Sequence, residues 1–287
     1  MPTYLDPRAD LTFKKVFGQH KDLLISFLNA LLPLKDDEPV EDIEYLSPEM
    51  VPETPTGKFS IVDVRCTDSR GRQFIVEMQM IWTPQFTKRI MVNTSKAIVM
   101  QVKQGDDYSL LQPVYSLNLI NQVFEPELDD YYHPYAVVNQ KHPEKVIDGL
   151  SVILIELPKF KPNTFNEKKM HVLWLRFLTE INDKTTEISD ELTSQPEVKK
   201  AIDVLKKSAF TQDELLAYEK FWDTISSEKT IIGEAIEKGR AEGRAEGIAE
   251  GRMEEKLENA RKMIQRGIEP AVVADITGLT MEQIKDL

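Results

Sequence analysis

The sequence predicts an α/β domain with an all-α extension on its C-terminal side. Three features support this prediction: a helical apolar pattern before residue 32, two alternating strand patterns around a turn after residue 59, and mainly helical patterns from residue 166 onward. The predicted order in the α/β part is α-β-β-β-α-β, followed by a last strand. We place the α/β domain at residues 1–162, the helical extension at 163–230, and a third region, a repeat-containing helix with a short helical tail, at 231–287.

The first element is helical. Apolar residues recur at helical spacing in "DLTFKKVFGQHKDLLISFLNALL", and the pattern breaks near Gly18. The segment therefore forms either one helix with a turn at its start or two short helices. The next segment, "VEDIEYLSPEM", predicts the first strand.

The second and third strands form an antiparallel hairpin. In "FSIVDVRCTDSRGRQFIVEMQM", two alternating apolar runs flank "DSRGR", and Gly71 supplies a positive φ near the end of the turn. With the loop at residues 69–71, the numbers of paired residues sum to 140, so Asp63 lies opposite Glu77 with Cβ atoms about 5 Å apart. A glycine bulge would instead shift the register by one residue and remove this pairing.

This register gives the hairpin one apolar face and one mixed face. The apolar face is assigned to the core and comprises Val62, Val64, Cys66, Val76, Met78 and Met80. The mixed face comprises Ile61, Asp63, Arg65, Ile75, Glu77 and Gln79. Two facing carboxylates destabilise a sheet unless one is protonated or a cation lies between them, which suggests a divalent metal site. The alternative is a solvated outer face on which two acids meet.

A helix follows the hairpin and begins at Pro84. Its residues available for burial are Ile90, Val92, Ala97, Ile98 and Val102. The stretch 82–105 has no acidic residue, and its basic residues are Lys88, Arg89, Lys96 and Lys103. In an acidic chain, such a basic segment binds either an anionic partner or acidic side chains elsewhere in the same chain.

Two further strands complete the α/β part, "LLQPVYSLNLINQVF" and "LSVILIELPKF". The second is so apolar that we expect it to be central in the sheet. After residue 166, "HVLWLRFLTEI", "EVKKAIDVLKKSAF" and "QDELLAYEKFWDTI" predict three amphipathic helices, which pack on the sheet or on each other.

Residues 239–254, "GRAEGRAEGIAEGRME", repeat every four residues. Each glycine costs a helix about 1 kcal/mol relative to alanine, and Arg and Glu two positions apart do not face each other within one helix. We expect a helix that associates with a second copy of the chain to form a dimer, because small residues at every fourth position let two backbones approach. The alternative is a flexible charged linker.

The last segment has breaks at Gly267 and Gly278 between short helices. This outline is shared by helix-turn-helix modules that bind DNA and by small helical hairpins that only pack or dimerise. Three acids, Asp275, Glu282 and Asp286, disfavour phosphate contact.

Composition excludes several classes of function. The chain has 287 residues, a formal net charge of -12, one cysteine and four histidines. The negative charge argues against a protein that coats nucleic acid non-specifically, although a local basic groove remains compatible with it. The single cysteine excludes a disulfide framework and a zinc-cysteine cluster. The four histidines are not separated by the short intervals that are typical of metal ligands. No apolar run is long enough to span a membrane and the start lacks a signal-peptide pattern, so we expect a cytoplasmic protein.

Several of these motifs resemble those of a known enzyme family. Asp63 and, after thirteen intervening residues, "EMQ" at 77–79 resemble the active-site signature of the PD-(D/E)XK nuclease superfamily. With "DLTFKKVFG", "KRIMVNTSKAIVMQVKQGDDYSLLQPVYSLNLI" and the tail motif "GRAEGRAEG", the chain resembles the recombination-promoting nuclease, or transposase, family over about residues 5–160 and, more loosely, over the tail. The resemblance implies a restriction-endonuclease-like core, with a mixed sheet flanked by helices, and a magnesium-dependent DNA endonuclease of low sequence specificity.

Residue by residue, the resemblance implies that Asp63 and Glu77 ligate a magnesium ion together with the backbone carbonyl of Met78. Gln79 is the third catalytic candidate and stands where many superfamily members have lysine. A glutamine side chain is neutral and can only hydrogen-bond the attacking water. Asp10 resembles an additional acid that some members place on the first helix.

Basic residues complete the candidate site. Lys14, Lys15 and Arg89 are candidates for the missing cation, and Lys88, Arg89 and Lys96 are candidates for binding the DNA backbone. A second hypothesis is a protein that keeps the nuclease fold without activity and binds DNA or self-assembles. The neutral residue at the lysine position favours this second hypothesis, whereas the retained pair of acids favours the enzyme.

Overall fold

A computed structural model describes residues 4–50, 59–162 and 169–287 of the protein, and its central feature is a six-stranded sheet. The strands are β1 (Ile43–Tyr45), β2 (Glu49–Met50), β3 (Ser60–Ile61), β4 (Val64–Asp68), β5 (Gln73–Gln79), β6 (Val114–Ile120), β7 (Tyr132–Asn139) and β8 (His142–Glu156). The main sheet has the order β1-β4-β5-β6-β8-β7, while β2 and β3 form a separate two-stranded sheet. Because β5, β6 and β8 are parallel and the other pairs are antiparallel, the predicted mixed sheet is confirmed.

Helices follow the sequence pattern closely. They are α1 (Asp10–Phe17), α2 (Lys21–Leu31), α3 (Pro84–Val99), α4 (Lys169–Glu180), α5 (Asp190–Thr193), α6 (Pro196–Val204), α7 (Gln212–Gln265), α8 (Pro270–Thr277) and α9 (Met281–Lys285), with 3₁₀ turns at Tyr108–Leu110, Leu157–Lys159 and Lys207–Ala209. The break near Gly18 separates two short helices, as one of the two predicted arrangements requires. The start of the helical pattern at 166–168 lies outside the described residues.

The hairpin of β4 and β5 has the predicted register. Val64 pairs with Val76 and Thr67 with Gln73, so paired residue numbers sum to 140, and Gly71 in the turn has a φ of 82°. The first hairpin strand is nevertheless shorter than predicted. The chain bends at 62–63, so that β3 leaves the main sheet and pairs with β2. Asp63 therefore lies one residue before the ladder begins.

Both faces of the main sheet are buried, which differs from the single core face predicted. On one face, residues of β4 and β5 pack with α1, α2, α4 and α6 around the rings of Phe13, Phe17, Phe27, Trp174 and Phe177. On the other face, Ile75 packs with Val62 and with Ala97 of α3. Val62 is thus on the side opposite to its predicted one, because the bend turns it away from Val64. Each large side chain buried in this way stabilises the fold by roughly 1.5–3 kcal/mol.

Helix α3 begins at Pro84, as predicted, and covers the second face of the sheet. Ile90 and Ala97 are buried as expected. Val92, which was expected to be buried, is 40% exposed, because the outer side of α3 carries no further layer among the described residues there. This leaves an apolar side chain on the surface of the basic helix.

Strand β7 was not predicted. It is the edge strand beside β8 and begins with Tyr132, while its partner β8 extends back to His142. The sequence pattern missed this hairpin because Pro134 and the polar residues at 139–145 interrupt the alternation of apolar residues. An edge strand tolerates proline, since one side of its backbone needs no partner. β8 is interior, between β6 and β7.

The described contacts divide the chain into two compact units, of which the first ends at Ile225 and the second is Ser226–Leu287. In the first unit, α4 and α6 contribute to the same core as the sheet. In the second unit, the end of α7 packs with α8 and α9 around Ala260, Val273, Leu279 and Ile284. Gly267 and Gly278 lie at the predicted breaks with positive φ. The domain boundaries predicted from sequence stay a prediction. No helix among the described residues has both the length and the hydropathy that crossing a membrane requires.

Candidate active site

The predicted acids converge at the carboxyl end of β5. Glu77 and Gln79 are among the last three residues of that strand, and Asp63 lies just before β4, which pairs with β5. Asp63 Oδ2 accepts a hydrogen bond of 2.8 Å from the backbone N–H of Met78. Since the N–H and C=O of one strand residue point to the same side, the Met78 carbonyl also faces the Asp63 side of β5.

The surroundings of Asp63 disfavour its charged form. Burial is the largest influence on it and, together with the charge of Glu77, raises its pKa to about 6. The hydrogen bond from Met78 and the charge of Lys14 act in the opposite direction without cancelling this effect. The carboxylate is therefore in an environment that favours either protonation or the approach of a cation.

Glu77 is 4% exposed, so the solvated outer face considered from sequence is wrong. Its Oε1 accepts a hydrogen bond of 2.9 Å from Asn93 Nδ2, and its Oε2 lies 3.0 Å from a guanidinium nitrogen of Arg89. Burial raises the pKa of Glu77, and the Arg89 charge and the two hydrogen bonds only partly counter that increase. The carboxylate is held in one orientation by donors from α3.

Arg89 links Glu77 to Gln79. The same guanidinium nitrogen donates to Gln79 Oε1 at 2.7 Å, and the guanidinium carbon lies 4.7 Å from the centre of the Phe86 ring. Gln79 Nε2 donates to the Ile81 carbonyl at 2.6 Å. Both ends of the Gln79 amide are thus engaged. The Arg89 side chain is 46% exposed, which leaves it a route to move into solvent or onto an anion.

Helix α1 brings a second cation to the site. Lys14 Nζ lies 2.5 Å from Asp10 Oδ1 and 3.7 Å from Asp63 Oδ1. Lys15 points elsewhere: its Nζ lies 2.8 Å from Glu214 Oε1 and 4.0 Å from the centre of the Phe210 ring. Asp10 and Lys14 therefore reach the candidate site, while Lys15 fastens α1 to the start of α7.

The other basic residues of α3 differ in their surroundings. Lys88 is exposed and lines a groove next to Gln79. Lys96 Nζ donates to the Met50 carbonyl at 3.1 Å and to Ser60 Oγ at 2.9 Å. Lys96 thus connects α3 to the two-stranded sheet of β2 and β3.

The donor set fits a hard divalent cation. In the described parts of the chain, no three His, Cys, Asp or Glu side chains are grouped so as to hold a metal ion. The site offers two carboxylates and a backbone carbonyl, which suits an ion such as Mg²⁺ that keeps several water ligands. Burial raises the pKa of both carboxylates, so a cation beside them would relieve an electrostatic cost already present.

Two buried asparagines were not identified from the sequence. Asn93 lies four residues after Arg89, so helical spacing alone would have placed both on the side of α3 that faces Glu77. Asn118 is the residue of β6 directly beside Glu77 in the parallel ladder. Both side chains are almost fully buried, and the Oδ1 atom of each has no hydrogen-bond partner among the described residues. The candidate site therefore contains polar oxygens beyond the carboxylates.

Comparison with known proteins gives two matches. The family model for the PD-(D/E)XK nuclease family transposase matches residues 7–235, which include every candidate residue of this site. The model for the C-terminal HTH domain of the Rpn/YhgA-like nuclease family matches residues 253–287. The second match favours the helix-turn-helix interpretation of the tail. No curated protein and no solved structure matches the chain significantly.

Proposed function

The chain belongs to the PD-(D/E)XK nuclease family transposases, and we propose that it is a magnesium-dependent endonuclease that hydrolyses DNA phosphodiester bonds with little sequence specificity. The observation that carries this proposal is the pair of Asp63 and Glu77 at the end of β5. Glu77 is buried and Asp63 is partly buried, and burial raises the pKa of both, so the charged carboxylates cost the fold stability that a bound cation would restore.

The protein's own residues have distinct roles in this proposal. Asp63, Glu77 and the Met78 carbonyl would hold the ion, and the hydrogen bond from the Met78 N–H fixes Asp63 in place. Asn93 fixes Glu77 Oε1. When bound, Mg²⁺ would supply a nucleophile at neutral pH and stabilise charge on the phosphate.

Gln79 and Arg89 would together replace the usual lysine. Gln79 can orient water by hydrogen bonding but carries no charge, and Arg89, bonded to it at 2.7 Å, provides the charge. Arg89, whose side chain is 46% exposed, would also contact the DNA phosphate, with Asp10 and Lys14 as auxiliary residues on the Asp63 side of the site.

DNA would lie along α3. Lys88 and Arg89 are exposed on that helix and would contact phosphates, whereas Lys96, bound to Met50 and Ser60, would act mainly by holding β2 and β3 in place. The match of the tail to an HTH domain supports a second DNA contact.

Cleavage of two labelled DNA duplexes of unrelated sequence tests the proposal. With Mg²⁺, we expect both duplexes to be cut at comparable rates, and with EDTA neither. Cutting of one duplex at a single position would contradict low specificity. Cutting in EDTA would contradict metal dependence.

The second candidate, an inactive nuclease fold that binds DNA or self-assembles, is favoured by one observation: donors already engage both oxygens of Glu77. Thermal unfolding with and without Mg²⁺ distinguishes the two candidates. A working site predicts stabilisation by Mg²⁺ that is lost in Glu77→Gln. An inactive fold predicts no stabilisation in either protein.

We further propose a homodimer that forms through the glycine repeat of α7. A Cβ added at Gly239, Gly243, Gly247 or Gly251 meets no atom within 4 Å in the described structure, so this side of the helix is open to close approach. Replacing Gly243 and Gly247 by alanine should stabilise an isolated helix by about 1 kcal/mol each, yet weaken a dimer that needs close contact. Gly233→Ala, an equally open position outside the repeat, is the matched control in analytical ultracentrifugation. A monomeric wild type, or a dimer unaffected by the double substitution, would contradict this proposal.

A further inference from the structure

A groove of about 520 Å³ opens beside Gln79, between β3 and α3. Its lining combines three kinds of side chain: apolar ones, basic ones and neutral polar ones. The residues that matter here are Phe59, Ile61, Gln79, Lys88, Arg89 and Val92. Because Gln79 and Arg89 also belong to the candidate active site, any molecule in this groove lies next to the reacting centre.

Three apolar side chains that line the groove, two at β3 and one on α3, are exposed. Phe59 is 47% exposed, Ile61 54% and Val92 40%. Clustered apolar side chains on a surface generally mark a binding site. The β3 side of the groove is held in place, since Lys96 fastens β3 to α3 through Ser60 Oγ, next to both Phe59 and Ile61.

The α3 side of the groove favours an anionic partner. Lys88 and Arg89 line it, and none of the described residues that line the groove is acidic. In a chain with a formal net charge of -12, this is a local site for negative charge. A ligand that fits must therefore offer an apolar, flat surface and a phosphate within a few ångströms of each other.

We propose that the groove binds an unpaired nucleobase of the DNA strand, with Phe59 stacking on the base and Lys88 and Arg89 contacting its phosphates. The proposal rests on the nuclease function proposed above and adds that one base of the bound DNA is out of the duplex stack, either already unpaired or unpaired on binding. A base inside a duplex is stacked on its neighbours and cannot present its face to Phe59. A base that has left the stack can, and aromatic stacking of this kind is tolerant of sequence.

Binding of two single-stranded oligonucleotides of equal length and charge tests this inference. One is a fluorescein-labelled thymidine 20-mer, and the other is the same backbone with abasic sugars. The full chain is titrated in EDTA, so that cleavage cannot occur, and fluorescence anisotropy gives both affinities. We expect the wild type to prefer the thymidine strand by on the order of ten-fold, from stacking of one base or more.

Three variants test which residues cause the preference for the thymidine strand over the abasic strand. Phe59→Ala should bind both strands about equally, whereas Phe59→Trp should keep the preference, because a larger ring also stacks. Lys88→Ala should weaken both strands alike, since its contact is with phosphate. Tyr108→Ala, at an aromatic side chain that is 80% exposed and does not line the groove, is the matched control and should change nothing.

Equal affinity of the wild type for the two strands, or no binding of either, would overturn the inference. So would a preference that survives in Phe59→Ala. The experiments can refute the groove proposal and the nuclease proposal independently. A protein that cleaves DNA but ignores the bases refutes only the groove, and a protein that prefers bases but never cleaves refutes only the enzyme.

Discussion

Replacement of Asp63 by asparagine should stabilise the metal-free protein at neutral pH. Burial in the folded state raises the pKa of Asp63 from its ordinary value of 3.8 to about 6, so between these two pH values the folded protein keeps a proton that the unfolded chain releases. Stability is therefore lost as the pH rises from about 4 to about 6, and the loss persists above that range. At about 1.4 kcal/mol per pKa unit, the charged carboxylate costs the fold about 3 kcal/mol at pH 7.5.

Urea unfolding in EDTA measures this effect. Tryptophan fluorescence is a suitable signal because the three tryptophans, Trp82, Trp174 and Trp222, all lie in the first compact unit. Asp63→Asn should unfold at higher urea concentration than the wild type at pH 7.5, and the gain should fall below about 1 kcal/mol at pH 4. Asp129→Asn, at an exposed position, is the control.

Magnesium should reduce the stability advantage of Asp63→Asn over the wild type. It should stabilise the wild type, because a cation offsets the charge that burial penalises, and it should leave Asp63→Asn unchanged. Two results would refute this reasoning: a destabilised Asp63→Asn protein at pH 7.5, or a gain of the same size at pH 4 and pH 7.5. Either would mean that Asp63 serves the fold rather than a cation.

Two further predictions separate metal binding from folding. Asn93→Leu removes the hydrogen-bond donor to Glu77 and should lower the Mg²⁺ affinity about ten-fold, measured by isothermal titration calorimetry. Ser95→Ala, at an exposed position of the same helix, is the control. Unchanged affinity of Asn93→Leu would show that Asn93 does not position the carboxylate. Arg72→Ala leaves the buried carboxylate of Asp68 without its ion-pair partner at 2.7 Å and should lower the free energy of unfolding in urea by about 3–5 kcal/mol. Arg70→Ala, at a more exposed arginine, is the control and should cost little. A small loss in Arg72→Ala would refute the role of this ion pair in stability.

Local sequence patterns predicted the parts of the fold that local interactions determine. The register of the β4–β5 hairpin followed from the turn residues and the alternation of apolar residues. The side occupied by Val62 did not, since it depends on the pairing of β3 with β2, which lies outside the hairpin. Strand β7 was missed because its stability comes from its neighbour β8 rather than from its own pattern.

The same distinction applies to the candidate site. The acids were identified because two like charges facing each other in a hairpin need an explanation. Lys15 was a candidate for the missing cation beside Lys14 and Arg89. The structure pairs it instead with Glu214, 199 residues later in the chain, and no local pattern indicates that contact. Asn93 was not predicted because a neutral residue gives no charge signal in the sequence, and its role depends on the hydrogen bond that it donates from α3 to Glu77 of β5.

Nicking of supercoiled plasmid tests the central claim most directly. Purified wild type is incubated with Mg²⁺ or with EDTA, in parallel with Glu77→Gln, whose side chain keeps its size and loses its charge. We predict conversion of supercoiled to relaxed or linear DNA only by the wild type with Mg²⁺. Absence of nicking by folded wild-type protein, or equal nicking by folded Glu77→Gln, would contradict the assignment of this carboxylate pair as the centre of a nuclease.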